Sequence, residues 1–300
     1  MNRLFILLVL LFGAIECNRP LSWQENQYWK ANCGRKPYHQ NNFVDNKRHI
    51  AGGQEQPGYL APWAIRISFN GGSCSGTLIS PRHILSASHC VMMSRNTAPP
   101  QIKFSHQACN GSDLILTQDN NEFTVFNSYG ALLSNKVSKI VLVNFCYQPV
   151  VDYDQPVVDY DDFMIMELKE DIALNDYVYP ACITNNMSFQ QPGLTIRVTA
   201  FGHDNWDDEN KNGQGTLKLR TGTFQIKGSW RDDRGFLIYN KATQIRGGDS
   251  GGTVLHYVNG QYYVIGVVDV STWQGAAGTA GIGSAITHHS QICYHTGRCN

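Results

Sequence analysis

Arg246-Gly247-Gly248-Asp249-Ser250-Gly251-Gly252 decides how this chain is read. Glycines on both sides of Ser250 let bare backbone come close to whatever meets the hydroxyl. Serine is a poor nucleophile at neutral pH, so a chain that uses one must also supply a general base and a group to orient that base. Working outward, Ser86-Ala87-Ser88-His89-Cys90 offers the base. Asp162, opening the apolar run Phe163-Met164-Ile165-Met166-Glu167-Leu168, offers the orienting acid. Taken singly, the glycine-rich stretch reads as a turn and His89 as a core histidine beside a cystine. Taken together, the three imply an acyl-transfer site.

The order His89, Asp162, Ser250 separates this arrangement from those of subtilisin and the α/β-hydrolases. From about Ile50 to the end, the chain resembles the trypsin-like (chymotrypsin-fold) serine peptidases. The resemblance implies an all-β fold: two antiparallel six-stranded β-barrels, about 50–178 and about 179–300, with the active site in the cleft between them. Short runs such as Ala64-Ile65-Arg66-Ile67-Ser68-Phe69 and Tyr262-Tyr263-Val264-Ile265-Gly266-Val267-Val268, bounded by Gly, Pro or Asn, independently read as strands. Pro180-Ala181-Cys182 resembles the connector between the barrels.

The same resemblance assigns roles. His89 is the base, Asp162 its orienter and Ser250 the nucleophile, with backbone N–H groups of Gly248 and Ser250 as the oxyanion hole. Asp249 pairs with a new amino terminus at Ile50-Ala51-Gly52-Gly53, freed by proteolysis. The basic pair Lys47-Arg48 lies one residue too early for a simple tryptic cut, because His49 intervenes, so cutting or trimming to Ile50 is expected.

The primary specificity pocket departs from the family pattern. Counting back from Ser250, its base is Gln244, where trypsin-type enzymes carry Asp, so cleavage after Lys or Arg is not implied. Arg246 stands at a position that is normally Cys, and the segment 272–281 lacks the partner cysteine. Asp269 and Val270 replace a Ser-Trp pair, unless Ser271-Thr272-Trp273 restores it by a slip in register. If Asp269 lies near Asp162, like-charge repulsion would raise a carboxylate pKa. These departures are similar to divergent nematode trypsin-like sequences. They also sustain the competing class, a non-catalytic homologue acting as a binding or decoy module.

Residues 1–17, with Arg3 before an apolar run from Leu4 to Phe12, read as a secretory signal too short to span a membrane. Residues 18–49 read as a propeptide without a sustained period. Removing Cys17 with the signal leaves eight of nine cysteines, enough for four disulfides in an oxidising compartment. Cys74 and Cys90, sixteen residues apart, match the family's clamp on the histidine loop, and Cys33 with Cys182 resembles the tie between propeptide and enzyme. Three pairings remain for Cys109, Cys146, Cys293 and Cys299; Cys109 with Cys146 and Cys293 with Cys299 is favoured.

Positive and negative side chains balance at 24 each, which leaves no excess charge to hold nucleic acid or an anionic membrane. Gln148-Pro149-Val150-Val151-Asp152-Tyr153-Asp154 recurs unchanged as Gln155-Pro156-Val157-Val158-Asp159-Tyr160-Asp161. It reads as a loop insertion, and excising one copy favours Asp162 over its acidic neighbours. Cys293-Tyr294-His295 with Cys299 and His288-His289 could suggest zinc, but a disulfide is preferred in an exported chain. The acidic stretches 152–162 and 203–210 lack a recognisable calcium spacing. Asn110 and Asn186 head glycosylation sequons. The expected protein is therefore extracellular and needs no metal or other cofactor. Its partners are protein or peptide substrates and an activating protease, with room for protein inhibitors.

Overall fold

The computed structural model describes residues 19–35, 54–55, 57–69, 72–92, 102–117, 122–146, 161–202, 218–241, 243–271 and 278–300. The signal segment, Ile50 and nearly all of the seven-residue repeat lie outside them. Among the described residues sixteen strands follow in chain order. The first ten are β1 (Gln54–Glu55), β2 (Ala64–Phe69), β3 (Gly72–Leu78), β4 (His83–Ser86), β5 (His106–Asn110), β6 (Asp113–Thr117), β7 (Phe123–Phe126), β8 (Leu132–Ser134), β9 (Val137–Leu142) and β10 (Met164–Leu168). The other six are β11 (Thr195–Ala200), β12 (Arg220–Trp230), β13 (Gly235–Tyr239), β14 (Thr253–Val258), β15 (Gln261–Ser271) and β16 (Thr279–Ser284).

Every pairing between these strands is antiparallel. In the second half, β12-β11-β14-β15-β16-β13 closes on itself through the β12–β13 pair, a six-stranded barrel without free edges. The first half differs from the expected closed barrel. It is a nine-stranded sheet, β5-β6-β9-β10-β4-β3-β2-β7-β8, whose end strands do not pair with each other. β5, at one end of this sheet, is exposed along its whole length. β1, expected with the first barrel, pairs with β12 of the second.

Three apolar clusters follow. Ile65, Leu78, Leu116, Phe123 and Met166 fill the first half, and Val198, Phe224, Phe236, Val254 and Ile282 fill the second. A third, with Trp63, Leu85, Phe163, Ile165, Leu255 and Val264, lies between the halves and glues them. Burying each such side chain contributes about 1.5–3 kcal/mol.

The segment before Ile50 is not featureless. Ser22 caps helix α1 (Trp23–Asn32) by accepting from the Glu25 N–H, and the Glu25 carboxylate accepts from the Ser22 N–H in turn, a complete capping box. Cys33 bonds Cys182. Buried Asn26 donates to the Cys299 carbonyl and accepts from its N–H, and the Leu21 N–H donates to the Thr296 carbonyl. The last two belong to helix α2 (His289–Thr296) and its tail, which ends on left-handed Gly297. Glu25 and Asp171 both grip Arg82, buried in the β3–β4 turn. The eight described cysteines form four disulfides: Cys33–Cys182, Cys74–Cys90, Cys109–Cys146 and Cys293–Cys299.

Candidate active site

His89 lies in a single 3-10 turn, Ser88–Cys90, that follows β4. The turn is pinned at both ends. Cys90 bonds Cys74 on β3, and the Ser88 hydroxyl donates to the Phe163 carbonyl at 2.9 Å. That second bond fixes the histidine loop to the lead-in of β10, which carries Asp162. Asp162 then meets His89 twice: Oδ1 accepts the His89 backbone N–H at 2.8 Å, and Oδ2 lies 2.5 Å from Nδ1. A carboxylate can only accept, so the ring proton is on Nδ1 and Nε2 presents its lone pair.

Burial works to lower the His89 pKa, but the Asp162 charge and hydrogen bond outweigh it, and the ring is more basic than a free imidazole. Burial likewise opposes ionisation of Asp162, and the His89 contacts override it, so this carboxyl is held low. Neighbouring Asp161 faces other partners: Arg234 at 3.1 Å, His288 at 3.0 Å and the Asn144 amide at 2.5 Å.

Ser250 reaches the same region from the second barrel, ahead of β14. Its carbonyl accepts the Ser75 N–H at 2.8 Å, and the Gly251 N–H donates to the Val268 carbonyl at 2.7 Å. The Ser75 hydroxyl donates to the Gly248 carbonyl at 2.9 Å while accepting the Phe201 N–H at 2.9 Å. Gly248 has φ +86°, a conformation that only glycine adopts without strain. Among the described residues, the N–H groups of Gly248 and Ser250 donate to no protein acceptor. They remain available to a ligand.

Asp249 is fully buried; it accepts the Gly202 and Arg246 N–H groups, each at 2.9 Å. Burial pushes its carboxyl up to about 7. Ile50, its expected partner, lies outside the described residues, as do Thr272 and Trp273. Gln244 and Arg246 are half-buried. Asn110 and Asn186 are both exposed.

Asp269 lies against Asp162. One atom each from His89, Asp162 and Asp269 fall within 4.8 Å of one another, and the Arg231 guanidinium is 2.7 Å from Asp269 Oδ2. His89 Nδ1 and Asp162 Oδ2, 2.5 Å apart, are already engaged with each other. Cys74, His89 and Cys90 also cluster, but both sulfurs are in a disulfide. The imagined zinc ligands near the carboxyl end are similarly engaged, Cys293 with Cys299 and His295 with Asp113 at 2.7 Å.

Several site residues carry no signal in the sequence. Ser75, Arg231 and Arg234 reach the site only through folding, and His288, weighed in the sequence as a zinc ligand, meets Asp161 instead. One closed barrel and one open sheet, both antiparallel, with a His-Asp pair on the first half and a glycine-bracketed serine on the second, fit a chymotrypsin-type architecture.

The family described as Trypsin matches residues 50–292, and the chain belongs to it. The chain is similar to CLIP domain-containing serine protease B15 of Anopheles gambiae, 27% identical over 236 residues, covering 72% of this chain and 60% of that protein. It is also similar to the proclotting enzyme of Tachypleus tridentatus, 23% identical over 267 residues (79% and 63%). Human atrial natriuretic peptide-converting enzyme is 26% identical over 177 residues, 58% of this chain and 14% of that one. The chain thus spans about three fifths of the mosquito protein's length and much less of the human one's.

Proposed function

We propose that the protein is a secreted serine endopeptidase, made as a zymogen, that hydrolyses peptide bonds in protein substrates with His89, Asp162 and Ser250. The observation that carries this reading is the two-point contact of Asp162 with His89, which leaves Nε2 to act as a base. As the Ser250 hydroxyl attacks a peptide carbonyl, His89 takes its proton and then gives it to the leaving amine; water repeats the cycle on the acyl-enzyme. Asp162 stabilises the imidazolium, consistent with the raised basicity of His89. The Gly248 and Ser250 N–H groups bind the developing oxyanion, each such donor being worth about 10²–10³ in turnover.

Activation frees an amino terminus at Ile50. A buried Asp249 whose carboxyl is pushed up to about 7 suits that event, because an ammonium beside it would draw the proton off and fix the loop. Four disulfides support an oxidising, extracellular destination. Among the described residues no helix is long and apolar enough to cross a membrane. Relatives named as proteases or converting enzymes support a protein or peptide substrate. Gln244 supports uncharged or polar side chains beside the cut bond.

A fluorophosphonate probe tests the proposal without needing the right peptide. The chain beginning at Ile50 is expected to label and Ser250→Ala is not. Absence of labelling in a chain confirmed to start at Ile50 favours the non-catalytic homologue.

A further inference from the structure

Asp269 is the extra residue of a β-bulge: Val268 pairs with Ile282 and Val270 with Gly281, leaving Asp269 without a ladder partner. Bulges re-aim side chains beside functional sites. Here the re-aimed carboxyl is buried and points at Asp162 and Arg231. The arginine is itself built in. Its guanidinium lies 4.0 Å from the Trp230 ring centroid, and that ring rests on Gly281, where a Cβ would meet it at 2.4 Å. Arg231 leaves the β12–β13 turn in a left-handed conformation (φ 52°), followed by Asp232 and Asp233 in the same region. Three consecutive non-glycine residues with positive φ are costly, about 1–3 kcal/mol each, and persist only where the surroundings enforce them.

We propose that Asp269 is a positioning residue for the His89–Asp162 couple: as the neutral acid, it donates its proton to Asp162 and accepts from Arg231 through its other oxygen. The chemistry requires such sharing. Two carboxyls in contact within a buried site cannot both ionise, and one proton between them turns repulsion into a hydrogen bond. Arg231 Nη1 already occupies Oδ2, so the hydroxyl belongs on Oδ1. Burial and the Asp162 charge both hold the proton on Asp269. The groups facing Asp269 are Asp162, Arg231 and, further off, Asp161, whose own charge is matched by Arg234 and His288. His89 therefore looks onto one net carboxylate charge, with the Arg231 cation behind it opposing the imidazolium.

The test is an NMR titration of the His89 ring in the chain carrying Ser250→Ala, with and without Asp269→Asn. The amide keeps a neutral donor of nearly the same shape. If Asp269 is neutral, the His89 pKa is the same in both chains; a fall of about one unit or more on removing a second carboxylate charge overturns the proposal. This arm does not depend on activity. A second arm rests on the serine-peptidase reading and follows fluorophosphonate labelling rate against pH in the chain with intact Ser250. Asp269→Leu, which lacks a donor, is expected to label at least tenfold more slowly, and Asp269→Asn to recover most of that loss with the acid limb in place. Equal rates for wild type and Asp269→Leu overturn the positioning role. Failure of wild type itself to label removes the peptidase reading, and the titration then decides by itself whether Asp269 holds the proton.

Discussion

Ser75 and Ser250 are joined by a 2.8 Å bond from the Ser75 N–H to the Ser250 carbonyl, and the residue before Ser75 is the Cys74 that bonds Cys90 beside His89. One strand, β3, therefore ties the His89 turn and the Ser250 loop with adjacent residues. Its Ser75 hydroxyl also satisfies the Phe201 N–H and the Gly248 carbonyl. Ser75→Ala leaves both without that partner, and the expected loss is about 1–3 kcal/mol of stability. Because Gly248 carries one of the N–H groups proposed to bind the oxyanion, kcat should fall about tenfold with KM little changed, a split that steady-state kinetics on any cleaved peptide would reveal.

Asp162→Asn keeps the shape of the side chain and removes the charge that holds the Nδ1 proton. Turnover is expected to fall about 10⁴-fold. Chemical unfolding should show a folded chain, so that the loss is assigned to chemistry and not to collapse.

Asp249 carries a pH signature. Its carboxyl lies at about 7, above the 3.8 of a free side chain, so ionising it opposes folding. The uncut chain loses stability as pH rises from about 4 to about 7, on the order of 4 kcal/mol from this group. Asp249→Asn should abolish that part of the slope, measured as the difference between the two chains' thermal midpoints across pH. An ammonium at Ile50 should abolish it as well.

Glu167 shows the opposite behaviour. It is buried with Lys139 at 3.1 Å and His83 at 3.7 Å, and it accepts from the Arg19 N–H and the Ser138 hydroxyl. Burial alone would raise its carboxyl, but His83 and Lys139 override that and hold it at about 2, below the usual 4.5. Its contribution is full above pH 4.5 and disappears as pH falls toward 2. Glu167→Gln is expected to cost about 3 kcal/mol at neutral pH and almost nothing near pH 2.

Arg82 tests how firmly the leading segment is attached. Its buried guanidinium holds Glu25 of α1 and Asp171 together, so Arg82→Ala should destabilise by about 3 kcal/mol in denaturant unfolding. Glu25→Ala, whose side chain is 40% exposed, should cost no more than about 1 kcal/mol.

Much of this arrangement is legible in sequence because its signals are local. The strands announce themselves by short β-rich runs between turn residues, and His89, Cys90 and the Gly247–Gly252 stretch carry their chemistry in a few positions. Excising one copy of the duplicated heptad selects Asp162 over Asp161; in the structure Asp162 touches His89, and Asp161 turns to Arg234 and His288. The Arg231–Asp269 contact is not legible, since it depends on the tight β12–β13 turn and on a bulge, both products of three-dimensional register. Helix α1 escapes a reading by apolar period, although Ser22 and Glu25 spell a capping box, because its apolar residues form no stripe. The open first sheet leaves no trace in the sequence, because strand pairings that close a barrel join residues far apart in the chain.

The bonds from Leu21 to Thr296 and from Asn26 to Cys299 join the first described residues to the last. The Asn26 and Cys299 partners lie 273 positions apart in the chain, so the leading helix cannot make these bonds until the segment around α2 has been synthesised. Until then the Leu21 N–H and the Asn26 side chain lack these partners. Asn26→Ala, which loses both bonds to Cys299, should therefore harm folding yield more than it harms the chemistry of an already folded molecule.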